Sequence, residues 1–278
     1  MKLVYSKEYE DIKFLAFYAD QQCLFEEGSD LILNIDGIEH IGLESVISAL
    51  AQLSGEVPPL KKIEEYRRVR ASPSPLKGDV CTLTVLNYIN LVKQMVEQAT
   101  LKNKDCIDEF TARLGLPFDP DFLLLEIKSG KITAIEPAEG MDKLFCERVS
   151  AGREYFICSG LRGVYQAEEL LGNTYLFVLN IKKAKFKDLE SEGMICCAQN
   201  EKSEALRVEV PENTRISVEG AFSIFENIAC APVDLKKGRY TQALHSFGIK
   251  DGYMVFKGAR VLCGGRYVKS SVLNGEVR

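Results

Sequence analysis

The sequence predicts a multidomain α+β protein whose C-terminal half is a five-stranded β-barrel carrying an appended, mostly β lobe. Three observations lead there. Apolar residues recur at helical spacing before about residue 115 and in strand-length runs after about residue 121. Gly115 and Pro117 punctuate the change. Beyond it, five strand-like segments are interrupted once, by a short helical stretch between the third and the fourth, the layout of a Greek-key barrel.

The elements follow in order. Lys2–Ser6 reads as a short strand, and Glu8–Asp20 places Tyr9, Ile12, Leu15, Ala16 and Ala19 on one helical face. Leu31–Ile35 and Ile38–Ile41 flank Asp36-Gly37, a two-residue hairpin signal. Leu43–Leu53 is a helix ended by Gly55, Val57-Pro58-Pro59 breaks the pattern, and Lys61–Arg70 is a polar helix. Ser72-Pro73-Ser74-Pro75 is a loop, Cys81–Asn103 a long helix, and Asp105–Leu114 continues helically. The predicted barrel strands are Phe122–Glu136, Leu144–Ala151, Glu154–Ser159, Tyr175–Lys182 and Met194–Gln199, with a helix at Gln166–Leu171. Further strands at Leu206–Val210, Arg215–Val218 and Tyr253–Val261, and a helix at Arg239–Phe247, make up the lobe. The expected division is 1–118, 119–200 and 201–278.

Composition excludes several classes. With 46% hydrophobic and 27% charged residues the chain is of ordinary globular type. No apolar run reaches the roughly 18 residues of a membrane span. The N-terminal residues lack the apolar stretch of a secretory leader, so a cytoplasmic location and no membrane partner are expected. The nine cysteines are scattered without a C-x-x-C, and there are only two histidines. Neither a disulfide framework, a metal site nor a cofactor is expected.

The net charge of −5 is unevenly placed. Met1–Phe118 holds 13 Lys+Arg against 18 Asp+Glu, whereas Asp119–Arg278 holds 22 of each. The second half is neutral in sum but locally basic. Lys182-Lys183-Ala184-Lys185-Phe186-Lys187 sets four lysines around one phenylalanine. Lysines neutralise phosphates and an aromatic ring stacks on a base. Without further context such a run also reads as a solvated turn.

Five motifs supply that context. Leu125-Glu126-Ile127-Lys128-Ser129-Gly130-Lys131-Ile132, Met141-Asp142-Lys143-Leu144-Phe145, Ile157-Cys158-Ser159-Gly160-Leu161, Asn180-Ile181-Lys182-Lys183-Ala184-Lys185 and Ser191-Glu192-Gly193-Met194-Ile195-Cys196-Cys197-Ala198 occur in this order. Together they resemble the EMAP-type tRNA-binding domain, an OB fold, over about Phe122–Gln199 and more loosely through Leu262. The resemblance implies tRNA as ligand, held mainly by shape in the barrel groove. It marks Asn180, Lys182, Lys183, Lys185, Phe186, Lys187, Ser191 and Met194 as the tRNA-binding residues, with Asn180 fixing the loop or meeting RNA and Ser191 and Met194 shaping the groove floor. The family's His-Pro before the second motif is Glu136-Pro137 here, Lys183 replaces its loop proline, and Glu190 and Glu192 oppose phosphate.

The N-terminal half, with Glu44-Ser45-Val46-Ile47-Ser48-Ala49-Leu50 after a hairpin, resembles the glutathione-transferase fold. In synthetase-associated proteins that fold implies a docking module. Tyr5 and Ser6 are weak candidates for a transferase nucleophile, and no catalytic residue is assigned. His40-Ile41-Gly42-Leu43 and Val268-Lys269-Ser270-Ser271 imitate class I synthetase signatures, but no dinucleotide-type α/β domain is predicted between them. The expected function is that of a non-catalytic cofactor that binds tRNA and docks an aminoacyl-tRNA synthetase, methionyl by resemblance. The alternative is an interaction or dimerisation scaffold whose barrel holds no RNA.

Overall fold

The computed structural model describes residues 1–6, 9, 12, 16, 23–53, 91–99, 104–113, 119–200, 203–219 and 229–278. The chain forms two compact units, Met1–Asp119 with Phe222–Ile228, and Pro120–Ala221 with Ala229–Arg278. The predicted polar helix Lys61–Arg70, the loop Ser72–Pro75, most of Glu8–Asp20 and residues 81–90 lie outside the described residues.

In the first unit, β1 (Lys2–Tyr5), β2 (Leu24–Glu27), β3 (Ile32–Ile35) and β4 (Ile38–Ile41) form one sheet in the order β2-β1-β3-β4. β1 runs parallel to β2 and antiparallel to β3. Asp36 and Gly37 both take positive φ, 52° and 87°, in the β3–β4 hairpin, which is why Asp-Gly stands there. The helix Leu43–Leu53 buries Val46, Ile47, Ala49 and Leu50, which share one face at the i, i+3, i+4 spacing. Residues 91–98 are helical and bury Leu91, Val92, Met95 and Val96. The long helix expected through Asn103 is interrupted at Ala99, whose φ of 50° terminates the α-helical geometry. Lys104–Arg113 follows as a separate helix.

The second unit starts at Pro120. Pro120–Leu124 is a 3₁₀ helix rather than the start of a strand. Phe122, Leu123, Leu124 and Leu125 are all buried, and a run buried on every side does not need strand alternation. β5 (Ile127–Pro137), β6 (Phe145–Ser150) and β7 (Glu154–Ser159) form an antiparallel meander. The helix Ala167–Leu170 precedes β8 (Thr174–Val178), which returns beside β5. β11 (Met194–Ile195) then pairs with β8, giving the order β11-β8-β5-β6-β7.

The barrel nearly closes between β7 and the chain entering β11. The Glu192 amide donates to the Phe156 carbonyl at 2.8 Å, and the Cys158 amide donates to Ser191 Oγ at 2.9 Å. Ile132, Phe145, Val149, Ile157, Leu161, Leu170, Phe177 and Ile195 fill the interior. Gly130 lies in a strand because a Cβ there would stand 2.6 Å from Val149 Cγ1 and 2.9 Å from Phe177 Cδ2.

The expected strand Met194–Gln199 is two strands in two sheets. β11 belongs to the barrel, while β12 (Cys197–Gln199) belongs to the lobe. Cys196 still donates its amide to Leu176 at 2.8 Å, so the chain changes sheets immediately after it. The lobe sheet runs β13-β12-β19-β15-β16-β17-β14, with β13 (Ser203–Ala205), β14 (Ile216–Val218), β15 (Phe247–Lys250), β16 (Tyr253–Phe256), β17 (Ala259–Cys263) and β19 (Asn274–Val277). β18 (Arg266–Tyr267) adds to β17.

Other expected strands are shorter. Tyr253–Val261 is a hairpin, turned at Lys257 and Gly258 with φ of 48° and 89°. Leu206–Val210 forms no regular strand, although Arg207 bridges Tyr175. The lobe helix is Gly238–His245, and Phe247 opens β15 instead of closing that helix. Phe122, Phe247 and Phe256 meet with ring centroids 4.8–5.7 Å apart, seating the 3₁₀ turn on the lobe sheet. No described helix is long and apolar enough to cross a membrane.

Candidate nucleic-acid interface

β8 ends at Val178, four residues before the expected limit at Lys182. Asn180 causes the departure. Its side chain is buried and makes three hydrogen bonds: Nδ2 donates to the carbonyls of Leu124 at 2.9 Å and Ala231 at 3.1 Å, and Oδ1 accepts from the Glu126 amide at 2.7 Å. These bonds bind three separate stretches of backbone together. Asn180 therefore fixes the loop, and both of its amide hydrogens are already engaged by backbone.

Ile181 then pairs in parallel with Val233, and the Lys182 amide donates to the Val233 carbonyl at 2.9 Å. The lysine-rich segment expected as a loop is a β-hairpin of β9 (Ala184–Phe186) and β10 (Leu189–Ser191). Lys187 turns it with φ of 51°. Alternation puts Phe186 and its cross-strand partner Leu189 on one face, where both pack against Ala138, Cys146 and Cys158. Lys185 and its partner Glu190 stand on the other face, 3.6 Å apart.

Lys182, Lys183, Lys185 and Lys187 are all exposed. Three of them have partners within the protein: Lys183 Nζ lies 3.3 Å from Glu192, Lys185 from Glu190 as above, and Lys187 Nζ donates to the Gly140 carbonyl at 2.8 Å. The Lys185–Glu190 pair is exposed, and such pairs contribute about 0–1 kcal/mol, so a phosphate can displace that carboxylate at small cost.

Beneath the hairpin runs a groove of about 610 Å³. Lys182, Lys183, Lys185 and Lys236 supply its positive charge, Ile181, Phe186, Met194 and Leu235 its apolar surface, and Asp234 a carboxylate. Ser191 lies on its floor but is buried and satisfied, accepting from Cys158 and donating to the Gly193 carbonyl at 2.9 Å. Met194 is half-buried and faces the groove. Phe186 packs on one side and lines the groove on the other. The groove therefore brings together Lys182, Lys183, Lys185, Phe186, Ser191 and Met194, and leaves Asn180 and Lys187 in structural bonds outside its lining.

Sequence reasoning did not place Lys236 in this groove or Arg153 beside it. Lys236 arrives through the Ile181–Val233 bridge, which leaves no local trace in the sequence. Arg153 holds its guanidinium 3.6 Å from the centroid of Tyr155 and 3.7 Å from Glu192. Arg239, by contrast, is committed to Asp121 by a two-point ion pair. Glu192 is held below the usual carboxylate range, first by the Phe156 amide, then by Lys183 and Arg153. Burial pushes the thiols of Cys158 and Cys197 up to about 11 and about 12, so these cysteines are inert packing groups. No cluster of metal-ligating side chains occurs among the described residues.

A nearly closed five-stranded barrel with a lysine-rich hairpin beside an amphipathic groove defines a nucleic-acid-binding module of the OB class. Residues 127–218 match the tRNA binding domain family, and this segment is a tRNA-binding domain of the EMAP-like kind. The methionine–tRNA ligase of Methanocella arvoryzae is 27% identical over 175 residues, covering 62% of this chain and 25% of that protein. The cytoplasmic tyrosine–tRNA ligase of Xenopus tropicalis is 34% identical over 87 residues, covering 31% of this chain and 16% of that protein. The chain thus spans a quarter or less of the length of these two ligases. The crystal structure of the C-terminal domain of Plasmodium vivax p43 shares the fold, with a TM-score of 0.51 and 24% identity over 56% of this chain and 97% of its own.

Proposed function

We propose that this protein is a non-catalytic, cytoplasmic tRNA-binding cofactor that docks an aminoacyl-tRNA synthetase, the methionyl enzyme in the first instance, and delivers tRNA to it. The observation that carries the reading is the groove in which Lys182, Lys183, Lys185 and Lys236 surround Phe186 and Met194. Phosphates are met by charge and a base or ribose by apolar surface. The acidic excess of residues 1–118 and their compact unit of their own support a separate docking module. Joining the two modules makes the second association intramolecular and raises the effective tRNA concentration at the synthetase. Filter binding of bulk tRNA at two salt concentrations tests the reading. Affinity should fall steeply with salt, and salt-independent retention or none at all would remove it.

One observation favours a scaffold that holds no RNA. Lys183, Lys185 and Lys187 each have a partner inside the protein. Co-precipitation of a synthetase that survives nuclease treatment, with no tRNA retained on filters, would select that alternative.

A further inference from the structure

A second basic and aromatic surface lies on the lobe, and the pocket beside it shares no lining residue with the groove at the motif-bearing hairpin. In the register of β16, β17 and β18, Tyr253, Val255, Arg260, Leu262, Tyr267 and Lys269 share one face. The alternate residues Met254, Phe256, Val261, Cys263 and Val268 are buried on the other. The first face is therefore the solvent side of the sheet.

Its groups are arranged around a cation. The Arg260 guanidinium lies 4.5 Å from the ring centroid of Tyr253 and 5.2 Å from that of Tyr267. The two rings are edge to face at 6.0 Å, and Lys269 Nζ is 5.9 Å from Tyr253. Tyr267 remains 37% exposed although its hydroxyl donates to Glu219 at 2.7 Å, a bond that fixes the ring without covering it. Tyr267 and Lys269 also line an adjoining pocket of about 490 Å³, to which Arg207 and Arg266 add two more cations and Glu209 a carboxylate. In a half of the chain with 22 basic and 22 acidic residues, this concentration of positive charge beside the half-buried Tyr253 and the exposed Tyr267 is local.

We propose that the Tyr253–Arg260–Tyr267 face and the Arg207–Arg266–Lys269 pocket beside it form a second RNA-binding surface, which takes single-stranded nucleotides. The inference rests on the reading of the chain as a tRNA binder and names the kind of RNA element that its lobe holds. Unpaired bases offer π-faces to tyrosines and to an arginine plane, whereas paired bases do not. Cations spaced along the strip meet successive phosphates. A protein partner of this face would need carboxylates in place of phosphates and would have no requirement for bases.

The experiment uses the full chain, bulk tRNA and a short polyuridylate oligomer. Lys269→Gln combined with Arg266→Gln changes only exposed side chains and serves as the charge variant. It should weaken oligomer binding several-fold and flatten the slope of log affinity against log salt by roughly 0.7 for each phosphate no longer neutralised. Tyr253→Leu should weaken oligomer binding about tenfold with an unchanged slope, read beside its thermal midpoint. Wild-type affinity and slope in the charge variant, with oligomer binding abolished on substitution of Lys182, Lys183 and Lys185, would overturn the lobe surface and leave the groove reading intact. Weakened binding in the lobe variants with none in the groove variants would support the lobe surface and remove the groove. Failure of the unaltered chain to retain either RNA would overturn both.

Discussion

Glu192 and Phe156 are joined twice: the Glu192 amide donates to the Phe156 carbonyl at 2.8 Å, and the Phe156 amide donates to the Glu192 carboxylate at 3.1 Å. The same carboxylate lies 3.3 Å from Lys183 and 3.7 Å from Arg153. One residue thus latches the barrel and restrains two cations, of which Lys183 lines the groove. Glu192→Gln keeps an acceptor for the Phe156 amide and releases the cations. Its expected effects are tRNA affinity raised a few-fold at low salt and stability lowered by about 1 kcal/mol. Filter binding and urea titration measure the two. Weaker binding by a folded variant would mean that the latch, not the freed charge, governs the groove.

The hairpin lysines carry the next prediction. Replacing Lys182, Lys183, Lys185 and Lys187 by Ala should remove most tRNA binding and change stability little, since all four are exposed. The salt slope should flatten by roughly 0.7–0.9 for each phosphate that loses its lysine. Lys187→Ala alone should leave the slope nearly unchanged, because that side chain is engaged with the Gly140 carbonyl. Phe186→Ala should lower the thermal midpoint, through weaker packing on Ala138, Cys146 and Cys158, by an amount equivalent to about 1–2 kcal/mol. An unshifted midpoint with weaker binding would show that Phe186 acts on RNA alone.

Asn180→Ala should act on the fold and not directly on RNA. It strands the Glu126 amide and two carbonyls in a buried place. The expected destabilisation is roughly 2–4 kcal/mol. Measured below its melting temperature, the variant should keep the wild-type salt slope. A flattened slope would place Asn180 at a phosphate.

Glu147 gives the chain a pH dependence. Its carboxyl is fully buried in the barrel, Ser159 donates to Oε1, and Oε2 has no hydrogen-bond partner among the described residues. Burial raises its pKa from 4.5 to about 7, against the smaller opposing effect of Ser159. The folded state then holds a proton that the unfolded state has released. Its contribution is most favourable below 4.5 and is lost as pH rises towards about 7. The difference approaches about 3 kcal/mol. Glu147→Gln removes this dependence, so the stability gap between the variant and the wild type should widen in favour of the variant over that window. A gap that stays constant in urea titrations across the window would contradict the assignment.

The sequence by itself determined the local elements and the ligand class. Asp36-Gly37 specifies its hairpin because positive φ disfavours other residues, and Leu43–Leu53 is legible as a helix because Val46, Ile47, Ala49 and Leu50 recur at the spacing of one buried face. The ordered motifs marked the tRNA-binding segment because they encode backbone requirements of one barrel, such as Gly130 beneath Val149 and Phe177. Only the tertiary structure decided what each polar residue does. Asn180 and Ser191 look like ligand-binding groups in sequence, yet their bonds go to backbone up to 56 residues away. The lysine run looks like a free loop, yet Leu189 and Phe186 fold it onto a satellite core, and three of its cations find partners. Lys236 joins Lys182, and Arg260 comes between Tyr253 and Tyr267, through sheet pairing that local periodicity does not encode. Strand formation depends on near neighbours, whereas satisfaction of a buried donor or pairing of a charge depends on which distant backbone the barrel and lobe bring beside it.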